Sequence, residues 1–65
     1  MLYEVKYDDG INQWSAWFDT QSEALDQAAM DTNVYGGTPA QEVLDDTGTQ
    51  VHDQAEIIAA ADALP

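Results

Sequence analysis

Basic residues and cysteine are what this sequence lacks: Lys6 is the only lysine, and there is no arginine and no cysteine. The absence of cysteine excludes disulfide bonds and thiolate metal sites, so packing must stabilise the chain. One lysine cannot neutralise a row of phosphates, which excludes direct nucleic-acid binding, and the chain is repelled by anionic membranes. The sequence after Met1 has neither a basic leader nor a long apolar run. We therefore expect a complete cytoplasmic protein without a signal peptide or membrane anchor.

Negative charge is what the sequence has in excess. Its 65 residues include 13 acidic side chains, for a formal net charge of −12. A charge magnitude of about 2–8 keeps a small domain soluble, and more charge opposes folding by self-repulsion. Solubility alone therefore does not explain the composition. The charge predicts a basic partner, specifically a protein whose own function is to hold a polyanion, because opposite fields accelerate association.

The first half of the chain has the pattern of a hairpin. Apolar and polar residues alternate over residues 3–7 and again over residues 13–18, as in strands with one covered face. Asp8-Asp9-Gly10 supplies turn chemistry between them.

A helix is predicted to follow the hairpin. Thr20 and Glu23 form a capping box, and apolar residues then recur at helical spacing as far as about Asp31. Asn33 is the expected left-handed C-cap, and residues 34–39 have the composition of a loop.

The second half repeats this order, with Asp45-Asp46 in the turn position, a short strand over residues 49–52 and a second capping box at Asp53 and Glu56. A strand over residues 40–44 is favoured. A short helix over residues 39–44 is the alternative, because the residues from Thr38 on also make an acceptable helix start.

These elements predict one α+β domain over residues 1–65, a two-layer β-β-α-β-β-α fold with both helices on one face of an antiparallel sheet. Residues 1–33 and 40–65 would form a pseudo-repeat of ββα units. The expected core consists of Tyr3, Val5, Tyr7, Trp14, Ala16, Phe18, Leu25, Ala28, Val43, Val51, Ile58 and Ala61.

Trp17 and Met30 are the apolar residues that this arrangement leaves outside the core. In one interpretation Trp17 covers the stem of Lys6 across the hairpin and Met30 is simply exposed. In the other, both are apolar anchors within an acidic interface.

The candidate interface is an acidic surface. Turn acids are expected at one end of the domain and helix-start acids at the other, joined by a band along the outer side of the first helix. By charge, −12 corresponds to roughly 20 Å of duplex DNA, comparable to the size of the domain. The acids assigned to this surface are Asp8, Asp9, Glu23, Asp26, Asp31, Asp45 and Asp46.

A short chain starting at Met1, with the pairs Asp8-Asp9 and Asp45-Asp46 and almost no cations, resembles the small phage-encoded anti-CRISPR proteins. Within that group it is similar to an inhibitor of the type I-C system, and the resemblance covers the whole chain in length and composition. The resemblance implies a DNA mimic in the bacterial cytoplasm. Such a protein would dock on the basic DNA-entry surface of the effector complex, on its Cas8-type large subunit where the PAM is read, and block target DNA.

Two other function classes fit the sequence less well. Proteins of salt-saturated cytoplasm are also acidic and lysine-poor, but we expect them to keep arginine for ion pairs. An enzyme is disfavoured because His52, the single histidine, has no nucleophile motif to serve. The acidic pairs lack the spacing of an EF-hand. We expect no catalytic residue, cofactor or metal site, and a monomer.

Overall fold

The computed structural model describes residues 2–34 and 40–64, and it has the predicted element order. The elements are β1 (Tyr3–Asp8), β2 (Gln13–Phe18), α1 (Gln21–Val34), β3 (Ala40–Leu44), β4 (Gln50–His52) and α2 (Gln54–Asp62). The predicted loop over residues 34–39 lies outside the described residues, apart from Val34, which belongs to α1. Among the described residues, neither helix has the length and hydrophobicity needed to cross a membrane.

The four strands form one antiparallel sheet in the order β2-β1-β3-β4. The two hairpins therefore adjoin through their first strands, with Glu4 opposite Leu44 and Tyr7 opposite Ala40. Since β1 and β3 run in opposite directions, the turn of the first hairpin and the turn of the second lie at opposite ends of the sheet. This topology decides where the acidic turns are placed.

Residues 40–44 are a strand, as favoured, and not a short helix. Ala40 and Val43 are both fully buried, and Val43 lies opposite Val5 in the sheet. Ala40 and Val43 are three residues apart, and strict alternation would place them on opposite faces of the sheet. A register shift opposite Lys6 and Tyr7 brings both onto the covered face.

The core lies between the sheet and the two helices, which pack on one face. Val5, Val43 and Ile57 are its largest fully buried side chains. Ala24 and Ala28 supply the buried face of α1, and their small side chains let this helix lie close to the sheet. A domain of this size has room for only a small core.

Two predicted core residues are exposed. Trp14 is 44% exposed, because it lies on the edge strand β2, where its ring stacks on Tyr7 with centroids 5.6 Å apart. Ile58 is 43% exposed, because α2 turns Ile57 and Ala61, four residues apart, toward the core instead. The core prediction was therefore wrong at these two positions.

The turns and helix ends follow local chemistry with two differences. Gly10 and Gly48 have φ of 90° and 83°, conformations that glycine tolerates best. Asp53 and Glu56 form a complete capping box. At α1 only half of the box forms: Thr20 accepts from the Glu23 amide, while its hydroxyl donates to the Glu23 carboxylate.

Asn33 is not a left-handed cap, because α1 continues through it to Val34. The last turn is joined to β3 through Thr32, whose hydroxyl donates to the Ala28 carbonyl at 2.8 Å. The same hydroxyl accepts from the Ala40 amide at 3.3 Å. The contact between Thr32 and β3 stabilises the last turn of α1, so the helix continues beyond Asn33, a residue type that often ends helices.

Candidate protein-interaction surface

The first hairpin turn is organised by its own carboxylates. Asp8 accepts a hydrogen bond from the Gly10 amide at 2.8 Å. Asp9 accepts from the amides of Ile11 at 2.8 Å and Asn12 at 2.6 Å. These bonds, that from Asn12 first and that from Ile11 second, hold the pKa of Asp9 below its usual value. Asp9 is therefore a fixed, ionised carboxylate that is exposed to solvent.

The second hairpin turn uses the same chemistry at Asp45. One oxygen of this carboxylate accepts from the Thr47 hydroxyl at 2.6 Å and from the amides of Thr47 and Thr49, each at 2.9 Å. The Thr47 hydroxyl contributes most to lowering the pKa of Asp45. Asp46 is exposed and accepts no hydrogen bond from the described residues. This turn thus combines one organised carboxylate with one that is free to contact a partner.

The two acidic turns lie at opposite ends of the molecule, which corrects the expectation that both lie at one end. Tyr3, at the start of β1, pairs with Phe18, and Glu4 pairs with Leu44. The start of α1 and the turn with Asp45 and Asp46 therefore lie at this end of the sheet. Asp8 and Asp9 lie at the other. Negative charge is consequently distributed over both ends of a body of 29 × 28 × 17 Å.

Glu23 and Asp26 lie on the exposed side of α1, as predicted, but Asp31 does not. Its Oδ2 accepts from the Tyr7 hydroxyl at 2.6 Å, and its Oδ1 accepts from the Gln27 side chain at 2.8 Å. The helix period could have revealed this, since Asp31 follows the buried Ala24 by seven residues. The outer side of the helix therefore carries two of the three acids assigned to it.

Burial of the Tyr7 hydroxyl, and secondarily its hydrogen bond to Asp31, raises the pKa of Tyr7 far above the usual range of tyrosine. Both effects oppose formation of a phenolate next to a carboxylate. Tyr7 and Asp31 thus form a structural pair.

Among the described residues, the exposed large apolar side chains include the two that were predicted and four that were missed, of which Leu2 and Ile58 are two. Trp17 is 56% exposed and Met30 is exposed on α1. The structure adds Ile11, which is 89% exposed at the first hairpin turn, and Trp14. Ile11 could have been found from the sequence, because a large apolar residue directly after a turn glycine has no core to enter.

The face of the sheet opposite the helices carries carboxylates that neutral side chains hold in place. The Ser15 hydroxyl donates to Glu4 at 2.6 Å. The side-chain amide of Gln13 donates to Asp8, and that of Gln50 donates to Glu42, each at 3.0 Å. A shallow open groove of about 310 Å³ on this face is lined by Lys6, Asp8, Gln13, Gln41 and Glu42.

Lys6 lies on this open face, yet it forms no ion pair with any described residue. No cation–π contact joins Lys6 to Trp17. The interpretation in which Trp17 covers the stem of Lys6 is therefore not supported by such a contact. Trp17 remains 56% exposed.

His52 connects β4 to both helices. Its Nε2 lies 3.0 Å from the Gln21 amide nitrogen, and its Nδ1 lies 3.3 Å from Glu56. A neutral ring that donates from Nδ1 and accepts at Nε2 satisfies both contacts. Within residues 2–34 and 40–64, histidine and acidic side chains form no group of three suited to a metal ion.

Comparison with protein-family models, curated proteins and solved structures finds no match to this chain. Its function must be inferred from its own surface.

Proposed function

We propose that this protein is a polyanion mimic, which binds the basic nucleic-acid-binding surface of another protein and keeps the nucleic acid out. The observation that carries the proposal is a net charge of −12 with a single lysine on a body no longer than 29 Å. Duplex DNA with that charge would be roughly 20 Å long. The protein therefore offers a charge density comparable to that of DNA.

The arrangement of the carboxylates supports this proposal. Asp9 and Asp45 are fixed by hydrogen bonds that also favour their ionised form. Carboxylates held in place can replace phosphates against arginine and lysine side chains, through charge-assisted and in part bidentate contacts. Fixing them before binding reduces the entropy that association would otherwise cost.

The resemblance to anti-CRISPR proteins suggests the target. We take it to be the type I-C effector complex of a bacterial cytoplasm, with the large subunit as the docking site and PAM recognition as the step that is blocked. Inhibition would be stoichiometric and competitive, without catalysis. Since the protein would copy the charge of DNA and not its bases, binding should not depend on the target sequence.

A DNA-binding competition tests this proposal. Purified type I-C effector complex is titrated with the protein before labelled target duplex is added, and the series is repeated at raised salt. We expect displacement that saturates near one protein per complex and weakens as salt rises. Target binding that is unchanged at saturating protein would contradict the proposal for this effector.

Charge reversal at two acids tests whether the acidic surface makes the contact. Asp26 and Asp46 are exposed and accept no hydrogen bond from the described residues, so Asp26→Lys with Asp46→Lys should leave the fold intact. The double variant should inhibit much more weakly. Replacing exposed neutral residues instead should have little effect. Equal inhibition by the charge-reversed protein and the original would show that these acids are not used.

A further inference from the structure

The open face of the sheet contains an aromatic residue beside a carboxylate, with no internal partner for the aromatic ring. Trp17 of β2 lies directly opposite Glu4 of β1, and Glu4 lies directly opposite Leu44 of β3. The three side chains therefore form one row across the sheet, on the face that neither helix covers. Cross-strand neighbours of this kind have Cβ atoms about 4.5–5.5 Å apart, which is close enough to contact one ligand group together.

Glu4 is oriented within this row. The Ser15 hydroxyl donates to its Oε2 at 2.6 Å, while Oε1 accepts no hydrogen bond from the described residues. Because Ser15 is neutral, this bond orients the carboxylate without cancelling its charge. The row therefore offers a fixed anionic oxygen beside the exposed indole of Trp17.

An arginine side chain matches this pair of groups. Its guanidinium is planar, so it can stack on an indole face while its N–H groups donate to a carboxylate, whereas a lysine ammonium is a compact point charge. We propose that Trp17 and Glu4 together form a docking site for an arginine of a basic partner protein, with Leu44 beside the arginine's methylene groups. This inference rests on the proposed function, and it names arginine as the partner group that this face recognises.

Charge complementarity identifies the occupant. The open face carries Glu4, Asp8 and Glu42 against the one cation, Lys6, so it remains net negative. Lys6 lies in the next row, opposite Ser15 and Glu42. Its ammonium disfavours a second cation nearby, and Lys6→Gln should therefore strengthen arginine binding.

The test compares hexa-arginine with hexa-lysine, two peptides of equal charge, by fluorescence and NMR titration of the intact protein. We expect hexa-arginine to bind about twofold to fivefold more tightly through Trp17, because a guanidinium stacks on an exposed indole while it donates to Glu4 and an ammonium does not. Trp17→Leu should abolish this preference while leaving the salt dependence unchanged, since no charge is altered. Trp17→Phe should retain part of it, and Trp14→Leu, the matched loss of the other exposed indole, should retain it fully.

Removal of the carboxylate gives an independent readout. Glu4→Gln and Asp62→Asn each remove one negative charge, the second from an exposed position outside the proposed interface, and only the first should reduce the arginine preference. NMR spectra of each variant establish that it is folded. A preference that survives Trp17→Leu, or that falls equally in Glu4→Gln and Asp62→Asn, would overturn the arginine site. The outcome is separate from the competition with target DNA, whose failure would contradict the proposed effector target even if the peptides bind as expected.

Discussion

Tyr7 donates a hydrogen bond of 2.6 Å to Asp31, which joins the central strand β1 to the last turns of α1. The same carboxylate accepts from Gln27, one helical turn earlier. An acid that the charge pattern assigns to the interface therefore serves the fold. Glu23 and Asp26 of α1 can therefore contact a partner, whereas a substitution of Asp31 should destabilise the fold.

Tyr7→Phe tests this division. The variant keeps the ring and its stacking on Trp14 but removes the donor to Asp31, so we expect a loss of about 1–2 kcal/mol in the free energy of unfolding. Urea denaturation measures the loss. Met30→Ala, a change at an exposed position of α1, should cost much less. Equal stability of Tyr7→Phe and the original protein would contradict a structural role for the hydrogen bond.

The raised pKa of Tyr7 predicts instability in alkali. The folded protein holds the Tyr7 proton more tightly than the unfolded chain, in which the pKa of tyrosine is about 10. The associated stability is therefore complete below that pH and is lost as the pH rises above it. Phenolate absorbance should show that Tyr7 ionises only as the protein unfolds. A normal titration of all tyrosines in the folded state would disprove this assignment.

Asp45 should matter for stability more than its neighbour Asp46. Its depressed pKa means that its contribution is present above the pKa of an unfolded aspartate and is lost as the pH falls through the folded value. We expect Asp45→Ala to lower the Tm at neutral pH and to reduce the acid-dependent loss of stability. Asp46→Ala, which removes the same charge without a hydrogen bond, should leave the Tm unchanged or raise it. Identical effects would show that turn bonding is unimportant.

Ile57 is buried and Ile58, which was predicted to be in the core, is exposed, and this difference provides a packing test. Ile57 is fully buried in the core cluster, so Ile57→Ala should cost about 2–5 kcal/mol, enough to unfold much of a domain this small. Ile58→Ala changes an exposed side chain and should have a minor effect. Circular dichroism during urea unfolding measures both. The opposite ranking would indicate that α2 packs through a different face.

Low-salt melting separates the mimic from a salt-adapted protein. We expect the domain to be folded in low salt, because a packed core and a capped α2 stabilise it, and we expect its Tm to rise moderately as salt screens the repulsion between its carboxylates. A chain that folds only at high salt would instead favour halophilic adaptation.

Local chemistry was enough to predict most of the secondary structure. Alternating side chains produce the strands, Gly10 and Gly48 permit the turns, and Asp53 with Glu56 begins α2. Each of these features depends on residues close together in the chain, and each is therefore readable from the sequence. The net charge is likewise a property of composition and needs no fold.

The tertiary structure decided which side chains remain available at the surface. Antiparallel pairing of β1 with β3 separates the two acidic turns, β1 supplies the Tyr7 hydroxyl that binds Asp31, and the edge position of β2 exposes Trp14. It also aligns Trp17 with Glu4 and Leu44 through the register of three strands. These outcomes depend on contacts between residues far apart in the chain, whose pairing local patterns do not encode.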